Sequence, residues 1–315
     1  MLHPDVQHLP VLAILVLGLA RGAIYGLTAL GLVLVYKASR VINFALGETA
    51  TFAAFVAWWV INKQHQPWIT GALVAVLAAA AIGYAMHRLV ATPMREAPRS
   101  SVMIATLGVA FLLFGLEPAL FGSAPELLAP PIVQIQGAYP VLGAVNFTGL
   151  RLGSAFLSPT YMLALLTMVV CALGLALLLN RTRFGLGVLA TAEDGGSARL
   201  LGIPANRVSA FTWVIGGVLG GIAGLLIAPT QGIFFPFFFT GQLFFRGLVA
   251  AFVGGLDSLS GAILAGLLVG LLDEAATLIF IRDNGFPEVL FLLLVLLVML
   301  LRPRGLFGSA RAVAA

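Results

Sequence analysis

Long apolar runs separated by short polar connections form most of this chain. The runs are continuous and about 20 residues long, the length that an α-helix needs to cross the hydrocarbon core of a bilayer. A membrane β-barrel would show alternating segments of about ten residues instead. We therefore predict an all-α polytopic integral membrane protein with about eight to ten transmembrane helices and about nine crossings. The candidate spans are roughly 11–36, 43–62, 68–91, 101–121, 160–180, 208–228, a broken pair at 240–255 and 259–280, and 286–301.

The composition makes a lipid bilayer the expected solvent of this chain. Mean hydropathy is +1.08 and only 9% of the residues are charged, a balance that no soluble domain of this size needs. Residues 1–315 are therefore predicted to form a single transmembrane domain. The net charge of +5 would suggest nucleic acid in a soluble protein, but here we expect no nucleic-acid partner, because the basic residues follow the membrane topology.

The basic residues orient the chain. Twelve of the 17 lie in every second connection between the predicted spans, and the positive-inside rule makes these connections cytoplasmic. The N-terminus is then outside and the C-terminus cytoplasmic. The first ten residues contain no Lys or Arg, so a cleaved signal peptide is not expected. The twelve residues are Lys37, Arg40, Arg88, Arg95, Arg99, Arg181, Arg183, Arg199, Arg207, Arg302, Arg304 and Arg311.

One polar segment, residues 181–208, separates two long apolar segments and must therefore lie in water; we call it the polar island. Thr191 is predicted to cap a short helix there, with Glu193 and Asp194 in its first turn, where backbone N–H groups are unpaired. Gly202 is predicted to end this helix, together with the following Pro204. Such a helix on the aqueous face of a membrane protein suggests a docking site.

The longest connection on the opposite side covers residues 122–159 and is rich in proline and glycine. Segments such as Ile132–Ile135 alternate apolar and polar residues, a pattern that favours short strands. Loops of this length are usually functional or disordered. Docking of an external partner and an inert cover are equally open interpretations of this loop.

Several catalytic motifs are missing from the sequence. Its two lysines, Lys37 and Lys63, do not follow a glycine, so the chain has no Gly-Lys-Ser/Thr phosphate loop. It also lacks a G-x-S-x-G elbow, and its four histidines are scattered without a metal-binding pattern. We therefore expect neither an enzyme nor a metal site. No cofactor is expected either, and any ATP would be bound by partner subunits.

Glycines recur at a spacing of four residues in two of the predicted spans. This spacing places a bare face on a helix and lets a neighbouring backbone approach closely. Ordinary helix packing is the favoured interpretation, and it is compatible with helices that line a transport route. The two sets are Gly18, Gly22 and Gly26, and Gly216, Gly220 and Gly224.

Ionisable residues within or near the spans are candidates for function, because a charge in the bilayer must face protein or water. Glu48 and Arg246 are the two that we single out, either for a transport pathway or as a buried pair without a transport role. The wider set also contains Arg21, Glu117, Asp273 and Glu274.

Four segments resemble permeases of the high-affinity branched-chain amino-acid importers, a group of ATP-binding-cassette transporters. They occur in family order. The family often has His where Leu46 stands and Gly where Asp257 stands, so the substrate stays open. The segments are INFALGE at 42–48, AED at 192–194 followed by LLGI at 200–203, VGGLDS at 253–258 followed by GA at 261–262, and RPRGLFG at 302–308.

The resemblance implies a type II importer permease fold in a bacterial inner membrane. It also implies a second permease subunit, either identical or different, two cytosolic ATPase subunits and an extracytoplasmic solute-binding protein. The polar island would then contain the helix that couples ATP hydrolysis to transport. The residues implied for coupling are Thr191, Ala192, Glu193, Asp194, Arg199, Leu200, Leu201 and Gly202. The pathway candidates are Asn43, Glu48, Arg246, Gly254, Gly255, Asp257 and Ser258.

We therefore expect a permease subunit that carries branched-chain or related neutral amino acids into the cytoplasm. An ion-gradient-driven secondary transporter is the alternative from another class, with Glu48, Asp273 or Glu274 as its coupling site. Urea, amides or a solute derived from an aromatic acid are alternative cargoes within the importer class.

Overall fold

The computed structural model describes residues 11–128, 150–152, 155–193, 198, 200–231, 233–279 and 286–308. These residues are almost entirely helical, with one short antiparallel hairpin, β1 (Leu150–Leu152) and β2 (Ala155–Leu157). π-Helical turns extend α2 over Trp59–Lys63 and α3 over His87–Ala91, and another, Thr240–Phe244, precedes α8. The helices are α1 (Val11–Ser39), α2 (Leu46–Trp58), α3 (Trp68–Met86), α4 (Arg99–Phe121), α5 (Pro159–Arg181), α6 (Arg183–Glu193), α7 (Ala205–Gln231), α8 (Phe245–Gly254), α9 (Leu259–Ile279) and α10 (Phe286–Leu301).

Each apolar run predicted as a span is helical, which confirms the all-α class. Within the described residues, six helices are long and apolar enough to cross a membrane: α1, α3, α4, α5, α7 and α9. Two shorter apolar helices cover Thr240–Gly254 and Glu288–Leu301. Large apolar side chains such as Leu77, Ile104 and Leu173 are more than half exposed, as expected for helix faces that contact lipid.

Helix α1 lies at the centre of the bundle and packs against α9 along its glycine face. A Cβ atom at Gly18 would lie 2.8 Å from the Cα atom of Leu271, and one at Gly22 would lie 2.7 Å from the Cα atom of Leu267. Gly266 and Gly270 of α9 approach the backbone of α1 in return. Since lipid tails do not drive apolar helices together, such close backbone contact is a principal source of packing energy.

The second glycine set lies on α7, where three other helices meet it. A Cβ atom at Gly216 would lie 2.6 Å from a side-chain carbon of Val35 in α1, and one at Gly220 would lie 2.6 Å from a side-chain carbon of Leu46 in α2. Gly224 packs against the backbone of Ala50. A Cβ atom at the neighbouring Gly217 would lie 2.5 Å from the carbonyl oxygen of Ala79 in α3. Both glycine sets therefore lie at helix contacts.

The C-terminal segment 302–308 folds back onto the turn between α8 and α9. The backbone N–H of Leu306 donates to the carbonyl oxygen of Val253 at 2.8 Å, and that of Phe307 donates to Gly254 at 3.2 Å. Gly255 has φ of 100°, and a Cβ atom there would lie 2.8 Å from the Arg304 carbonyl oxygen. Two family-like segments that are distant in the sequence thus form one packed unit.

The long connection 122–159 falls mostly outside the described residues, and Ile132–Ile135 is among the residues that are not described. At its start, Glu126 pairs with Phe234 in a single antiparallel bridge, with N–O distances of 2.8 and 2.9 Å. At its end, the hairpin β1–β2 leads directly into α5. The described strands of this loop are therefore β1 and β2, and the prediction for Ile132–Ile135 falls outside the described residues.

Candidate functional site

The helix of the polar island begins earlier than the sequence predicted. Its cap is Thr182, whose side-chain oxygen accepts a hydrogen bond from the Gly185 N–H at 3.1 Å. Thr191 was predicted as the cap, which is wrong: it lies in the last turn of α6, and its hydroxyl donates to the Gly187 carbonyl oxygen at 2.8 Å. Ala192 and Glu193 follow it in that turn, so Glu193 is not in a first turn. The error arose because the apolar residues at 184–190 continue the helix upstream.

The end of the polar island agrees with the prediction. Gly202 has φ of 79°, and the Ile203 N–H donates to the Ala198 carbonyl oxygen at 3.0 Å, which is the hydrogen bond of a Schellman helix end. Leu200 and Leu201 are 90% and 80% exposed. Asp194 and Arg199 lie outside the described residues. The described part of the segment therefore exposes two neighbouring leucines at the turn that Gly202 ends.

A second candidate region lies where α2 begins, inside the bundle. Leu46 contacts Gly31, which precedes the end of α1 by eight residues, or about 12 Å along the helix. Leu46 also contacts Gly220, about 22 Å from the start of α7. The non-helical segment 40–45 therefore returns into the bundle, which is tolerated at membrane depth only when the backbone is buried in protein or lines a cavity. The candidate span at 43–62 does not reveal this internal start.

The first turn of α2 meets the first turn of the helix at 240–254; we call this meeting point the α2 junction. The hydroxyl of Thr240 donates to Oε1 of Glu48 at 2.5 Å, and Glu48 is fully buried. The carboxyl group of Glu117, from α4, lies against that of Glu48 and is also fully buried. Asn43 stabilises the entry to α2, because its Oδ1 accepts the Ala45 N–H at 3.0 Å.

Arg246 does not pair with Glu48. Its Nε donates to Oδ1 of Asp273 at 3.1 Å, and its terminal nitrogens reach the Gln242 carbonyl oxygen at 3.0 Å and the Glu288 carboxylate at 3.5 Å. The other oxygen of Asp273 accepts the Tyr25 hydroxyl at 2.6 Å. Arg246 therefore belongs to a buried network that does not include Glu48, and its role in transport stays a prediction.

The break at 254–258 lies at the level of the end of α1, rather than deep in the bundle. Arg40 pairs with Asp257 at 2.6 Å, and Ser258 caps α9 by accepting the Gly261 N–H at 3.0 Å. Gly254 packs against the backbone of Gly261. The unwound backbone at 254–258 therefore lies near a helix end, whereas the segment 40–45 lies inside the bundle.

The sequence did not single out several residues that complete these sites. Thr240 and Tyr25 carry ordinary polar groups in apolar runs, and no spacing rule marks them. Glu117 and Asp273 were noted as ionisable residues. The sequence signal for them was a charge within a span, which needs a partner in the protein. Which partner each one meets depends on helix packing, which a single sequence does not give.

The chain is similar to known transport permeases. A family model described as branched-chain amino acid transport system, permease component, matches residues 14–302. The high-affinity branched-chain amino acid transport system permease protein BraD of Pseudomonas aeruginosa is 30% identical, with 97% of each chain covered. The corresponding protein LivH of Escherichia coli strain K12 is 29% identical over 92% of this chain and 93% of that protein. Among solved structures, PsaBC from Streptococcus pneumoniae in complex with Fab has a TM-score of 0.46 and 15% identity, and covers 95% of this chain and 94% of that chain.

Proposed function

Because this chain belongs to the permease-component family of branched-chain amino acid transport systems, we propose that it is one membrane subunit of an importer. Its cargo is a branched-chain or related neutral amino acid, and separate ATPase subunits supply the energy. The family match over residues 14–302 carries this proposal. The described residues form helical spans and aqueous turns, and the sequence offers no phosphate loop for ATP.

The polar island is the proposed contact with an ATPase subunit. Large apolar side chains in an aqueous segment that are almost fully exposed indicate a protein contact when they lie together. Leu200 and Leu201 meet this condition at the turn that Gly202 ends. Thr191, Ala192 and Glu193 lie earlier in the same segment, in the last turn of α6.

The orientation follows from the charge pattern, and the partners are those that membership of the family implies. The polar island and the C-terminal segment face the cytoplasm, and the N-terminus faces outside. Two cytosolic ATPases and a second permease subunit complete the membrane assembly in a bacterial inner membrane. A solute-binding protein approaches from the side of the loop 122–159.

The pathway proposal centres on the α2 junction. Two helices begin inside the bundle there, and half-helices that start at membrane depth are the usual surroundings of a solute site in transporters. Asn43 shapes the entry to α2, and Glu48 supplies a buried carboxyl group at the meeting of three elements. Alternating access would move these elements against each other.

The experiment that tests the coupling proposal changes the two exposed leucines to alanine. Leu200→Ala/Leu201→Ala should weaken co-purification of the ATPase subunit about tenfold or more, because buried anchors at a protein interface contribute roughly 1–3 kcal/mol each. The matched control is Leu300→Ala/Leu301→Ala on α10, where both leucines are also exposed, at 81% and 73%. Equal ATPase binding by the wild type and the 200/201 variant would reject the polar island as the contact.

A further inference from the structure

Two neighbouring cavities lie where α3 ends and α7 begins. The first has a volume of about 670 Å³ and the second about 410 Å³, and both have His87 and Asn206 in their walls. The first reaches toward the ends of α1 and α4, and the second lies between α3 and α7. We call the pair the arginine groove, because its walls carry Arg40, Arg88, Arg95, Arg99 and Arg207.

The groove has an excess of positive charge. Its walls contain no Asp or Glu among the described residues. Arg40 pairs with Asp257. Arg95 contacts Glu96 at 3.5 Å, and the side chains of Arg95 and Glu96 are both more than half exposed. Within the described part of the chain, Arg88, Arg99 and Arg207 form no ion pair. Three arginines that have no carboxylate partner among the described residues favour an anionic ligand.

The groove lies at a membrane surface. Four spans end around it: Ile14–Ser39, Trp68–Ala91, Arg99–Phe121 and Ala205–Gln231. A terminal residue of each span lines the first cavity: Ser39, Ala91, Arg99 and Ala205. The positive-inside rule places this surface on the cytoplasmic side. An anion that binds here is therefore at the depth of lipid headgroups.

The wall of the second cavity is apolar next to its arginines. Tyr84, Phe211 and Val214 line it beside Arg88 and Arg207. Tyr84 and Phe211 are 55% and 46% exposed, which is expected of side chains that contact lipid. A ligand whose phosphate lies at the arginines could place an apolar tail along this wall. A free phosphate ion has no such tail and would leave the apolar wall without a contact.

We propose that the arginine groove binds the phosphate of an anionic phospholipid between Arg88 and Arg207, with an acyl chain along Tyr84 and Phe211. Basic pockets between transmembrane helices at the cytoplasmic surface bind such headgroups. Arg99 faces the adjoining cavity, where a second phosphate or glycerol group of a larger headgroup fits. Thr191 and Ile203 line the same cavity, so the lipid lies beside the polar island.

The test measures phospholipid binding to the purified, assembled transporter by native mass spectrometry, with phosphatidylglycerol titrated in neutral detergent. The variant Arg88→Gln/Arg207→Gln should bind the lipid about thirtyfold more weakly, since each arginine at a membrane surface contributes roughly 1 kcal/mol. Arg88→Lys/Arg207→Lys keeps the charge and should retain most of the affinity. Both residues are exposed, and a monodisperse assembly confirms that each variant has folded.

The matched control is Arg302→Gln/Arg304→Gln, two exposed arginines of the C-terminal segment that do not line the groove. It should bind the lipid like the wild type. An equal loss of lipid binding in the control would show that the lipid binds surface charge without specificity, and it would overturn the proposal. Competition by inorganic phosphate at a similar affinity would make the free anion the ligand. If the 88/207 variant loses ATPase subunits with unchanged lipid binding, the groove is a protein contact and the proposal fails.

Discussion

At the scale of single residues, the buried polar groups divide into two networks with different chemistry. Arg246, Asp273 and Tyr25 form a closed set in which the guanidinium and both carboxylate oxygens have partners. Glu48 and Glu117 are buried together, and no lysine or arginine forms an ion pair with either of them among the described residues. The first network has the features of a structural pair, and the second is the site at which the pathway proposal is tested.

Removing one partner of the Arg246–Asp273 pair should destabilise the protein strongly. Asp273→Ala would leave the guanidinium and the Tyr25 hydroxyl without their acceptor in a buried place, and broken buried pairs cost about 3–5 kcal/mol. Thermal unfolding in detergent measures the loss. Glu96→Ala, which removes the exposed ion pair of Arg95 and Glu96, should cost at most about 1 kcal/mol. Similar melting temperatures for both variants would contradict the buried network.

Glu48→Gln tests the carboxyl group of the α2 junction. The amide oxygen can still accept the Thr240 hydroxyl, so the assembly should keep its expression and melting temperature. Uptake should fall about tenfold or more, equivalent to a loss of about 1.4 kcal/mol of transition-state stabilisation. Substrate uptake by matched amounts of assembled transporter is the measurement, with Glu96→Gln as the control. Uptake at the wild-type rate would remove Glu48 from the pathway.

At the scale of helices and turns, close glycine contacts set the arrangement of the bundle. α1 meets α9 through glycines on both helices, and α7 meets α1, α2 and α3 through glycines on adjacent faces. The spacing of four residues predicts a bare face but not its partner. Gly266 and Gly270, which complete the α1–α9 contact, were not singled out, although their own spacing of four was the available signal.

A methyl group at this contact should be costly. Gly22→Ala places a Cβ atom 2.7 Å from the Leu267 Cα atom, and because backbone atoms cannot rotate away, overpacking should cost about 1–3 kcal/mol. Gly174→Ala on α5 is the matched control, because nothing lies within 4 Å of the added Cβ atom. Melting temperature and the fraction of monodisperse protein report the difference. Equal behaviour of the two variants would show that α1 and α9 are not in close contact.

The limits of sequence-based prediction are clearest in the helix starts. Apolar length located the six described helices that are long enough to cross a membrane, because bilayer thickness sets that length. The start of α2 inside the bundle was missed because residues 41–45 are mostly apolar, like the span that follows them. Only the contacts of Leu46 with Gly31 and Gly220 reveal their depth. The start of α6 was misplaced because Thr191 and Thr182 both have the residue type of a cap, and packing decides between them.

At the scale of the whole molecule, the chain combines a glycine-packed bundle with a polar island and an arginine groove at one membrane surface. The sequence alone was sufficient for the family and the helical class, because ordered motifs and apolar length are local properties. It did not show that Glu48 and Arg246 lie in different networks, because their partners come from distant parts of the chain. The central claim is that ATPase subunits drive amino-acid import through this chain.

Uptake of labelled leucine into proteoliposomes tests this claim most directly. The vesicles contain this chain with its partner permease, with or without the two ATPase subunits, and the solute-binding protein is added outside. We expect leucine to accumulate only when the ATPases and internal ATP are both present. Accumulation by the permease without ATPases, driven by a proton or sodium gradient, would contradict the account.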